Sequence, residues 1–107
     1  MRVLVAARDV RVRRSLSSLL ELDGSRVVAA TDVPPLLPEL DADLGPDLVV
    51  LELGRRELSQ DLRIVEELAR RGRAVIAVCT EADIVCRRPR PGAWSRLDQA
   101  FTSPTDG

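Results

Sequence analysis

The chain has 107 residues, enough for one domain and too few for two. Its 16 basic and 17 acidic residues leave a net charge of -1, which argues against a module that lives on phosphate neutralisation and against a polybasic membrane anchor. Every cation is Arg, and Lys, His and Tyr are missing altogether, so Schiff-base chemistry, a P-loop lysine and any histidine base or ligand are excluded by composition.

Two Cys without a His cannot build a four-ligand zinc site, and the sequence implies neither a metal nor a cofactor. Trp94 and Phe101 are the only aromatic residues, so the core must be aliphatic. No apolar run approaches the roughly 18–20 residues of a membrane span. Arg2 precedes only a short apolar stretch, which is not a signal-peptide pattern. The expectation is a soluble cytoplasmic protein whose Cys79 and Cys86, too far apart for a CxxC pair, are free thiols.

Arg2–Ala7 (RVLVAA) is a nearly continuous apolar run, the pattern of a strand buried on both faces in a parallel sheet. Val12, Leu16, Leu19 and Leu20 then recur at helical spacing across Val10–Leu22. Asp9 stands as N-cap and Asp23-Gly24 as the stop. A second strand is predicted at Arg26–Ala30 (RVVAA), and a Pro-opened helix at Pro34–Leu40, which Pro38 should keep short or bent. Gly45-Pro46 breaks the chain before Asp47–Leu53 (DLVVLEL), its most strand-like stretch. Leu58, Leu62, Val65, Leu68 and Ala69 mark a third helix that Gly72 ends, and Ala74–Cys79 (AVIAVC) is a fourth buried strand. The signal weakens beyond Thr80, with Trp94–Phe101 the candidate fifth strand. Strand and helix alternate throughout, so the class is α/β with a parallel sheet and helices on both faces.

In open α/β sheets, ligands bind at the C-terminal strand ends near the point where strand order reverses. Ala7-Arg8-Asp9, Glu52 and Cys79-Thr80 stand at those ends. Their order, with PDLVVLEL at Pro46–Leu53, AVIAVCT at Ala74–Thr80, and Gly92-Ala93 before Gln99-Ala100-Phe101, resembles the receiver domain of two-component response regulators, the CheY-like type. The resemblance covers about residues 2–101, leaving 102–107 as a disordered tail. It implies a flavodoxin-like sheet of strand order 2-1-3-4-5, with the final helix missing or truncated because TSPTDG alone follows Phe101.

The departures from the family's pattern fall on its chemistry. The acidic pair that would hold Mg²⁺ reads Ala7 and Arg8, the acceptor aspartate reads Glu52, the hydroxyl position reads Cys79 with Thr80 next to it, and the lysine reads Gln99. Asp9 alone keeps a carboxylate beside the pair. Phosphoryl transfer to a carboxylate needs a metal to shield charge, and Arg8 puts a fixed cation where that metal would sit. Glu52 reads as a built-in mimic of the phosphorylated acceptor, as drift in a disused site, or as a partner for Arg8, which it should face across the ends of strands one and three and for which Asp9 is the other candidate carboxylate. Cys79 reads as a small buried hydrophobe, having no base beside it.

These features point to a non-enzymatic pseudo-receiver, a signalling or regulatory protein-interaction module that is not phosphorylated. Without the last helix, the later strands should expose an aliphatic patch that favours a homodimer, with Arg87, Arg88, Trp94 and Leu97 near the contact. No direct nucleic-acid or membrane contact is expected. The alternatives are a small α/β enzyme or a nucleotide or anion binder, although the chain has no GxGxxG or P-loop, and a small-ligand-sensing domain.

Overall fold

A computed structural model describes residues 1–80 of the chain. Its elements are β1 (Arg2–Ala6), α1 (Val10–Leu22), β2 (Arg26–Thr31), α2 (Leu37–Leu44), β3 (Leu48–Glu52), α3 (Leu58–Arg70) and β4 (Ala74–Val78), with a 3₁₀ turn at Pro34–Leu36 leading into α2. The four strands form one parallel sheet in the order β2-β1-β3-β4. That is the predicted 2-1-3-4 order. A fifth strand, the final helix and the tail all concern residues 81–107, outside the described residues.

Alternation along the strands divides the core in two. Leu4, Ala6, Val49, Leu51, Val75 and Ala77 face Leu37 of α2 and Ile64, Val65 and Leu68 of α3. Val3, Val5, Leu48, Val50, Ile76 and Val78 share the opposite face with Leu16 and Leu20 of α1. Nineteen-odd aliphatic side chains without an aromatic can fill such a space because both faces carry branched residues in register: Val50, for example, lies between Val5 and Ile76. The expected bare patch on β4 is not there. Ile76 is 0% and Val78 5% exposed, so the argument for a homodimer built on exposed β4 side chains loses its ground.

Several local signals work as their chemistry demands. Asp9 caps α1 by accepting from the Arg11 amide at 2.8 Å, and Gly24, just past the helix, takes φ +88°. Others differ from the sequence reading. Leu19 is half exposed and lies outside the core that Leu16 and Leu20 enter. Pro38 sits in the first turn of α2, where its missing N–H costs nothing, and the helix runs on to Leu44 before Gly45 caps it at φ +55°. β2 is an edge strand, so its apolar run is only half buried.

The N-terminal end of the sheet is laced by arginines onto the α2–β3 turn. Asp41 of α2 is 3% exposed; Arg73 reaches its Oδ1 at 2.5 Å and Arg71 its Oδ2 at 3.5 Å. Arg73 also donates to the Pro46 carbonyl, Arg71 to that of Pro38, and Arg2 to that of Gly45. The contacts to Gly45 and Pro46 satisfy carbonyls of the turn between α2 and β3. Asp41→Ala strands both arginines, although they can reach water, and should cost about 2 kcal/mol in urea unfolding. The exposed neighbour Asp43→Ala should stay within about 0.5 kcal/mol of the native chain.

Candidate functional site

Strand order reverses between β1 and β3, and the residues that follow their C-terminal ends frame a pocket of about 340 Å³. Arg8, Asp9, Val12, Glu52, Gly54, Glu57 and Thr80 line it. Four of the residues singled out from sequence, Arg8, Asp9, Glu52 and Thr80, therefore meet in one place. Ala7 does not line the pocket: its side chain is fully buried, its N–H donates to Thr31, and its carbonyl accepts from Arg13. Gln99, Trp94, Arg87, Arg88 and Leu97 lie outside the described residues.

The expected pairing of Arg8 with Glu52 is not what the structure holds. Arg8 instead forks onto Asp61 of α3, with Nη1 to Oδ2 at 2.9 Å and Nη2 to Oδ1 at 2.8 Å. Asp61 is wholly buried and takes a third hydrogen bond from the Gly54 amide at 2.8 Å. Burying a carboxylate needs a charge partner and filled lone pairs, and a bidentate guanidinium with a backbone N–H supplies both. Position within α3 adds to this, since Asp61 lies in the first turn, where the helix dipole favours negative charge. The hydrogen bond to Asp61 raises the Arg8 pKa above its ordinary value against the opposing cost of burial. Glu57 stands further off, at 3.7 Å from Arg8.

Gly54 makes room for this arrangement. A Cβ there would lie 2.5 Å from both Arg8 Nη1 and Glu57 Oε1, so the guanidinium comes down where a side chain would otherwise stand. Asp61 was missed in the sequence reading, yet its signal was present. Leu58, Asp61, Ile64, Val65 and Leu68 follow the helical repeat, and a carboxylate on the apolar stripe of a helix announces a buried partner.

Glu52 ends β3 at 8% exposure. Its Oε2 accepts from the Thr80 hydroxyl at 2.6 Å. Because Val78 is the register partner of Glu52, the neighbouring strand leaves Thr80, and not Cys79, to meet the carboxylate. Cys79 packs instead against the core under α2 and α3 and is disulfide-bonded. This corrects the expectation of a free thiol; the only other cysteine in the sequence, Cys86, lies outside the described residues. Among the described residues no group of three or more carboxylate, His or Cys side chains is placed to hold a metal ion, and no helix is long and apolar enough to cross a membrane.

No known protein-family profile matches the chain, and no curated protein is similar to it in sequence. Solved structures are similar in fold. A LuxR-family DNA-binding response regulator from Staphylococcus aureus superposes with a TM-score of 0.61 at 21% identity, covering 85% of this chain and 72% of that one. The response regulator domain of CheB from Thermotoga maritima gives 0.61 at 19% identity, over 94% and 86%. A pilus assembly-related protein from Burkholderia pseudomallei gives 0.56 at 22% identity, over 78% and 64%. The chain has the fold of response-regulator receiver domains.

The Arg8–Asp61 contact should behave as a buried pair. Arg8→Met leaves the buried Asp61 without its counter-ion, for a loss of about 3 kcal/mol. Arg8→Met with Asp61→Leu should lose less than Arg8→Met alone, with a coupling of about 2 kcal/mol in a double-mutant cycle read by urea unfolding. The same cycle on Arg8 and Glu52 should couple weakly.

Proposed function

We propose that this receiver-fold domain is a signalling module that works through protein–protein contact and takes up neither Mg²⁺ nor a phosphoryl group. The observation that carries the reading is the fork of Arg8 onto Asp61. Phosphoryl transfer to a carboxylate requires a metal to shield the accumulating charge. Here a guanidinium, permanently charged, occupies the mouth of the site beside Glu52 and is held by two hydrogen bonds and a fully buried counter-ion. A divalent cation would have to displace it and leave Asp61 to find new partners.

Glu52 fits the same reading. Its carboxylate already holds the hydroxyl of Thr80 at the end of β4, so the contact between the two strand ends exists without any added group. The site is set in one state by its own side chains. Regulation then falls to whatever protein the domain meets, in keeping with the response regulators whose fold it shares. A nucleotide or anion binder is the weaker alternative, since Asp9, Glu52 and Glu57 line the pocket and Arg8 is already committed to Asp61.

Intact-mass measurement after incubation with Mg²⁺ and a small acyl phosphate tests this reading. The expected mass is that of the untreated chain. A stoichiometric phosphate adduct on Glu52 would overturn the proposal.

A further inference from the structure

Glu52 is the one buried carboxylate of the described residues without an ion pair. Asp61 has Arg8, and Asp41 has Arg71 and Arg73. At 8% exposure, Glu52 has a single hydrogen bond, from the neutral hydroxyl of Thr80 to Oε2, and among the described residues nothing donates to its Oε1. A buried carboxylate in this condition lacks the contacting cation that the other two have.

Among the described residues nothing fills the space in front of it. The pocket of about 340 Å³ lies within the size range of small-ligand clefts. Beyond Glu52 its wall carries Glu57 and Asp9, while Val12 presents an aliphatic surface. Its own cation, Arg8, spends both terminal nitrogens on Asp61. Of the other two carboxylates, Asp9 is partly answered by the amide at the start of α1, and Glu57 stands within 3.7 Å of Arg8. Glu52 is left without a direct ion pair, reached only by the longer-range field of Arg8.

We propose that this pocket is a binding site for an organic cation, a guanidinium or primary ammonium group, received by Glu52 Oε1 with Glu57 at the rim and Val12 against the attached carbon chain. The inference rests on the metal-free reading above. Mg²⁺ demands an octahedron of oxygen ligands at short range, whereas no metal-holding group exists among the described residues. A guanidinium or ammonium needs only acceptors within hydrogen-bond reach, and charge-assisted bonds of this kind are the strong ones. Two sources present the same chemistry. The group can belong to a free amine or guanidine, or to an arginine of a protein segment, of which this sequence has Arg87, Arg88 and Arg90 beyond Thr80.

The test is a titration of the full chain with methylguanidinium at constant ionic strength, followed by amide NMR, with sodium and magnesium chloride in parallel. The expected result is saturable shifts at Gly54 and Thr80 with methylguanidinium and none with sodium. Glu52→Gln should weaken that binding at least about tenfold and Glu57→Gln about two- to threefold, while Glu66→Gln on the outer part of α3 changes nothing. In Arg87→Gln/Arg88→Gln/Arg90→Gln, tighter probe binding assigns the natural occupant to the chain's own arginines, and unchanged affinity assigns it to an outside ligand; either presupposes the site. Shifts no different from sodium, or undiminished in Glu52→Gln, would overturn the inference and leave the metal-free reading standing. Saturation by Mg²⁺ with methylguanidinium silent would overturn both.

Discussion

Arg8 carries a charge that no physiological pH removes, and it carries it to the point where two strand ends diverge to make a pocket. Everything near that point is arranged around this one group. Asp61 is buried because Arg8 covers it, and the Gly54 amide turns toward Asp61 to complete its hydrogen bonding. Gly54 has no side chain where the guanidinium passes. The first turn of α3 is thereby tied to the end of β1 across the top of β3. A cation of this kind substitutes for a metal electrostatically but not chemically: it neutralises a carboxylate, yet has no exchangeable ligand position to offer a phosphoryl group.

The two ends of the sheet solve a similar problem with different outcomes. At the N-terminal end Arg2, Arg71 and Arg73 reach turn carbonyls and the buried Asp41, and the charges there are consumed in holding α2 against β3 and β4. At the C-terminal end one cation meets one buried carboxylate and a second, Glu52, is left over. The first end is architecture. Among the described residues the second keeps an open pocket and a buried carboxylate without an ion pair, the usual condition of a place that meets something else.

Much of this could be read from the residues in order. The alternation of apolar runs with helical repeats located all four described strands, because a strand buried on both faces must be apolar nearly throughout, whereas their order came only with the resemblance to receiver domains. Asp9 and Gly45 acted at the helix ends where their chemistry placed them. The exposure of Leu19 and of β2 was not legible, since burial depends on which neighbour a face meets and the edge of a sheet has none. Pro38 was misread for a simpler reason: at the start of a helix a proline is harmless, and only the helix's true beginning tells which case applies.

The site was half legible. Position along the strands brought Arg8, Asp9 and Glu52 together and left Thr80 or Cys79 open, which the register of β3 with β4 decides for Thr80. What spacing could not reveal was the partner of Arg8, because Asp61 arrives from a helix whose rotation and distance are set by packing. The claim that Arg8, through Asp61, keeps Mg²⁺ out of this pocket is tested most directly by calorimetric titration of Mg²⁺ into the native chain and into Arg8→Asp. The account predicts no saturable heat from the native protein and saturable binding once Arg8 is replaced by a carboxylate; saturable uptake by the native chain would contradict it.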